Sequence, residues 1–201
     1  GEIGLLSRYF PNDGALDGQT GQGTSFIGST RLAASGDLSF GRFAAEIRGR
    51  KDQKTGAQSW DLTKAYLSGE LGGVQWLIGN DVVFWGVTES YNPVNVINQR
   101  GNFTSSEEVE RLGQPMVALS FDTDTMGTFS FYGLTGFREL NYEEADQRLR
   151  FDVVPDGDRA MFESDTSVDF AFRNSNSIST ANGSLDYAVS LFSGRDRQPV
   201  Y

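Results

Sequence analysis

Apolar and polar positions alternate with period two along most of the chain, and no 3.6-residue helical period emerges. The alternation predicts nine β-strands, at about 2–10, 24–34, 38–50, 62–71, 74–84, 115–122, 127–137, 167–178 and 184–193. One face of these strands is apolar: Ile3, Leu5 and Tyr9; Phe26 and Leu32; Phe43, Ala45 and Ile47; Ala65 and Leu67; Val74, Trp76 and Ile78. It continues through Val117, Leu119 and Phe121, then Phe129, Phe131 and Phe137, then Val168, Phe170 and Phe172, and finally Leu185, Tyr187, Val189 and Leu191. Charges fall on the other face. Within each strand the repeated charges keep one parity: Glu2 with Arg8, then Arg42 with Glu46, Arg48 and Arg50, then Lys64 with Glu70, then Asp169 with Arg173.

The connections carry a second pattern. Tight turns are expected at Ser35-Gly36-Asp37, Gly72-Gly73, Asp122–Met126 and Thr180–Gly183. Long connections are expected at 11–23, 51–61, 85–114 and 138–166. Short and long alternate, so an up-and-down meander places all turns at one end and all loops at the other. Outer-membrane barrels have this asymmetry, and strands of ~9–11 residues cross the hydrocarbon when tilted. The fold expected is all-β, an antiparallel meander forming a single transmembrane β-barrel domain over 1–201. A soluble β-sandwich or lipocalin-like barrel, serving as a carbohydrate- or ligand-binding module, is the alternative. It would turn the apolar face inward.

Composition narrows the function. The chain has 201 residues, no cysteine and no histidine, which removes disulfides, Cys/His metal sites and His-based catalysis. With 27 acidic against 17 basic residues the net charge is −10, which argues against nucleic acid as a partner. A mean hydropathy of −0.38 and the lack of a long apolar run exclude a transmembrane helix but not a barrel. No enzyme activity, cofactor or metal is expected. The acid-rich 138–166 segment, with Asp156-Gly157-Asp158, reads as a solvated loop. Nine strands is an odd number for a bacterial barrel, and Gly194–Tyr201 reads as the start of a further loop. The chain is therefore expected to be a piece of a larger barrel.

The stretch Trp76–Asn98 is the most distinctive. It runs Trp76-Leu77-Ile78-Gly79, then Phe84-Trp85-Gly86, then Asn92-Pro93, then Val96-Ile97-Asn98. Together with Arg8-Tyr9-Phe10-Pro11 and Leu112-Gly113-Gln114-Pro115-Met116, it resembles a poorly characterised family of bacterial outer-membrane porin-like proteins. Many members of that family carry an acidic residue where Asn95 stands. The resemblance implies a passive channel for small polar solutes in the bacterial outer membrane, with lipid as its surroundings; the oligomeric state stays open. The expected pore-lining residues are Arg31, Arg42, Glu46, Arg48, Lys64, Glu70, Asp169 and Arg173. The 85–114 loop either narrows the lumen or packs on the rim. As a constriction it would use Trp85, Asn92, Pro93, Asn95, Asn98 and Arg100. Trp85, Tyr91, Val94 and Ile97 are expected to pack, the asparagines and Arg100 to face water. Ser105 and Glu108 have capping-box spacing, which predicts a short helix over 106–112. Tyr9, Phe10, Trp60, Phe84, Trp85, Phe121 and Phe137 lie near strand ends, as interfacial aromatics do.

Overall fold

The computed structural model describes residues 1–86, 94–101, 111–138, 146–148, 168–180 and 183–195. It contains nine strands: β1 (Glu2–Phe10), β2 (Gly23–Leu38), β3 (Gly41–Asp52), β4 (Gln58–Leu71), β5 (Val74–Asp81), β6 (Gln114–Thr123), β7 (Gly127–Thr135), β8 (Val168–Thr180) and β9 (Gly183–Ser193). They form one antiparallel sheet in sequence order, and among the described residues β1 and β9 are its two open edges. No described residue is helical.

Two connections differ from expectation. Ser35-Gly36-Asp37 is not a turn: β2 runs through it, and these residues pair with Ala44, Phe43 and Arg42. The turn falls at Ser39-Phe40. Gly36 belongs in the strand because Phe43 lies across it; a Cβ there would stand 2.7 Å from the Phe43 ring. The 51–61 connection shrinks to 53–57, because Gln58–Asp61 pair with Lys51–Arg48. That pairing is possible because the register shifts at Glu46/Ile47: Glu46 faces Lys64 but Ile47 faces Leu62, so Thr63 is an extra residue in a β-bulge. The length asymmetry survives. The short connections are 39–40, 72–73, 124–126 and 181–182, whereas the strand ends joined by 11–22, 53–57, 82–113 and 136–167 lie at the opposite end.

Directly opposed residues in an antiparallel sheet share a face, so the register fixes which side chains belong together. Leu67, Ile78 and Val117 are joined this way, as are Trp76, Leu119, Phe131, Phe172 and Leu191. This is the apolar face, and it is bare. Ile3, Leu5, Leu67, Ile78, Val117, Leu119, Phe170 and Leu191 are all exposed, and no described segment covers them. Its aromatics stack on one another instead: Phe121 on Phe129 at 5.4 Å and Phe131 on Phe172 at 5.1 Å between centroids. Trp60 rests on the backbone of Gly49 at the long-loop end of this face, where Tyr9 is also exposed.

The opposite face holds the buried polar groups Ser25, Glu46, Asp61, Thr63 and Asp169. A water-soluble sheet buries its apolar face and hydrates its charges. Here the two are exchanged.

Candidate functional site

All eight residues expected to line a pore share this polar face. Arg31 opposes Arg48, Glu46 opposes Lys64, and Arg42 opposes Ser68, whose strand carries Glu70 on the same parity. The register runs on from Ser68 through Leu77, Ala118 and Tyr132 to Ala171, flanked by Asp169 and Arg173. Glu46 is the centre of the charged set. Its carboxylate, almost fully buried, accepts from the Arg31 guanidinium at 2.8 Å and from Arg48 Nε at 2.8 Å. Arg31 also approaches Glu2 at 3.6 Å. A buried carboxylate is costly unless charge-assisted bonds satisfy it, and two guanidiniums do so here.

The connection after β5 lies on this same face. Trp85 and Ile97 are buried against Met116, Leu134 and Ala171, with Leu77, Ala118, Tyr132 and Phe192 packed around them. Burying two such side chains contributes roughly 1.5–3 kcal/mol each. The Trp85 ring meets Tyr132 edge-on at 5.6 Å. Arg173 donates to the Trp85 carbonyl at 2.7 Å and sits 5.8 Å from the indole centroid. The described part of the loop therefore folds over the walls of β5–β8 rather than onto the rim.

Asn98 fastens it. Its side-chain oxygen accepts from Val83 N at 2.8 Å, and its amide nitrogen donates to the carbonyls of Asp81 and Leu112 at 2.9 Å each. Arg111 donates to the Asn98 carbonyl at 2.8 Å, and Leu112 N donates to Gln99 O at 2.9 Å. Burial, and then the like charge of Arg100, lowers the pKa of Arg111. Asn98 and Asn95 were expected to face water, yet both are buried, Asn98 completely. The reason is that the loop's entry and exit strands bring orphan backbone groups together, and a primary amide can serve both donors and acceptors. Val94, expected to pack, is 46% exposed, and Arg100 is exposed as expected. Asn92, Pro93 and Tyr91 lie outside the described residues, as does most of the expected helix. Its last residues, Arg111 and Leu112, are not helical, and Arg111 bridges to Arg100. Trp85, grouped with the interfacial aromatics, lies instead on the polar face, and Phe137 lies under the guanidinium of Arg195.

Asp61 was hidden in an expected loop. It is 3% exposed and accepts from Arg138 at 2.8 Å, Thr63 Oγ1 at 2.9 Å and Gly113 N at 3.3 Å. The connection after β7 thus crosses back to β4. Further along, Arg148 donates to the carbonyls of Thr20 (2.7 Å) and Asn12 (2.9 Å) and lies over the Phe10 ring, tying the same connection to that after β1. The rest of the acid-rich segment lies outside the described residues.

Beside the docked loop, toward the turns, a cavity of about 900 Å³ remains open, lined by Arg42, Ser68, Gln75, Val83, Ser130 and Tyr132. No group of three or more metal-ligating side chains occurs among the described residues. No family model, curated protein or solved structure matches this chain.

Proposed function

We propose that this sheet is the wall of a bacterial outer-membrane channel through which small polar solutes diffuse passively. The observation that carries the reading is the exchange of faces: a continuous bare apolar surface on one side, and Glu46, Asp61 and Asp169 buried on the other. Lipid suits the first and a hydrated lumen suits the second. Within a bilayer, backbone groups at an open sheet edge have no water to bond, so in this reading further strands occupy the free edges of β1 and β9 and close the barrel. The turns face the periplasm and the long connections the exterior. Residues 82–86 and 94–101 narrow the passage from the β5–β8 side, and solutes pass over Arg31, Arg42, Glu46, Arg48, Lys64 and Glu70. The mechanism assigns no bond-making step and no cofactor to the chain.

Reconstitution of the full-length gene product in a planar bilayer tests the reading. Stepwise conductance in salt solution is expected. A product that stays monodisperse in buffer without detergent and never raises the conductance overturns it.

A further inference from the structure

On β1–β4 the buried charges of the polar face answer one another. Arg31 meets Glu2 and Glu46, Arg48 meets Glu46, and Asp61 meets Arg138. Asp81, at the end of β5, differs. It borders the open cavity, and one of its carboxylate oxygens is buried with no hydrogen-bond partner. Lys64, a cation of β4, acts on it through space but makes no ion pair with it and does not border the cavity. The register partner of Asp81 on β6 is Gln114, which is 2% exposed. The Gln114 side-chain oxygen is also buried and unpartnered, while its amide nitrogen donates to the carbonyls of Pro115 and Thr135. Directly opposed residues share a face. Two oxygens that can only accept therefore lie on neighbouring strands with no donor between them, an arrangement that is costly when one of them is ionised.

The cavity supplies the rest. Its charged lining is Asp37, Glu70 and Asp81 against Arg42 alone, and Arg42 already lies 3.9 Å from Asp37. The excess is acidic. Next to Asp81 the wall is apolar, formed by Leu77, Val82, Val83, Met116 and Ala118, with the half-buried Tyr132 beside them. A site that pairs an unanswered carboxylate with an apolar wall fits a solute with a cationic head and a hydrocarbon body.

We propose that Asp81 and Gln114 seat the ammonium group of a small primary amine whose apolar body lies along Leu77, Val83 and Tyr132. An ammonium brings three N–H donors to two oxygens that have none, and it supplies the charge that Asp81 lacks beside it. The hydrocarbon body removes the apolar wall from water, and an aromatic ring such as that of Tyr132 attracts cations over its face. A neutral isostere of the amine keeps the wall contact and loses the carboxylate; an anion is repelled by it. This inference rests on the channel reading above.

The test is block of the reconstituted full-length protein by benzylammonium in potassium chloride, where a site for bare cations is already filled by potassium. Benzylammonium is expected to reduce the conductance saturably. Benzyl alcohol and benzoate, its neutral and anionic counterparts, are expected to leave it unchanged, and this comparison in wild type is independent of any variant's folding. Asp81→Asn is expected to weaken the block about fivefold, the effect of one unit charge ~4 Å away in water. Glu70→Gln is expected to weaken it by less than about twofold, because Glu70 opposes Gln75, which lies ~20 Å along β5 from Asp81. No block by benzylammonium, equal block by benzyl alcohol, or block unchanged in a folded Asp81→Asn variant overturns the amine site and leaves the channel standing. No conductance at all overturns both.

Discussion

Asp61 on β4 and Arg138 after β7 are 77 positions apart in sequence and meet at 2.8 Å. The contact joins the end of one sheet region to the entrance of a distant connection. Asp61 also accepts from Gly113 N, so a single carboxylate holds the exit of the β5–β6 loop as well.

Replacing this carboxylate by an amide removes the charge that Arg138 pairs with and turns one of its two acceptor oxygens into a donor, so either Arg138 or the Thr63 and Gly113 donors lose their acceptor. Asp61→Asn is expected to cost about 3 kcal/mol of stability, at the lower end for a broken buried pair because Arg138 is partly hydrated. Denaturant titration of lipid-embedded protein, followed by tryptophan fluorescence, measures it. Arg138→Met combined with Asp61→Asn is expected to cost less than the two single changes added together.

Asn98 makes three side-chain bonds inside the loop. Asn98→Ala orphans Val83 N and the carbonyls of Asp81 and Leu112, at about 1–3 kcal/mol for each buried group left unpaired. The loop is expected to detach from β5–β8 more often. Limited proteolysis between residues 82 and 113 should accelerate, with strand content by circular dichroism unchanged.

Ile78 distinguishes lipid from water on the apolar face. It lies between Leu67 and Val117 and is 55% exposed. Against hydrocarbon, Ile78→Arg is expected to cost about 2–4 kcal/mol of folding free energy in vesicles. On a hydrated surface the same change stays within about 0.5 kcal/mol.

Gly113 sits where no side chain fits. A Cβ there would overlap the Asn80 amide and the carbonyls of Leu62 and Thr63. Gly113→Ala is expected to break the Asn80 bonds to those carbonyls and lower the unfolding midpoint. Gly133→Ala, where nothing lies within 4 Å, is the matched control and is expected to leave the midpoint unchanged.

The nine strands, their antiparallel neighbours and the division into two faces were legible in the alternation, because a period of two is a property of the backbone itself. Turn positions were less so. Gly36 looks like a turn residue, and only the Phe43 ring opposite explains its place in a strand. Asp61 was hidden for a related reason. The bulge at Thr63 breaks the parity, so Asp61 and Lys64 reach the same face from positions that alternation assigns to opposite ones. Asn98 was read as hydrated because a polar side chain in a loop usually is. Its burial depends on backbone groups from residues 81, 83 and 112, and no local pattern announces that convergence.

The Trp85 cluster also bears on the order of assembly. Its members come from the loop after β5 and from β6, β7 and β8, so they range from residue 85 to residue 171. Hairpins pair through near neighbours and close at little entropic cost, while this cluster must wait for three strands to be in register. The loop has nothing to grip until its wall exists. The polar face of β5–β8 is thus bare before it is covered, and the loop is the last piece of the described fold to settle.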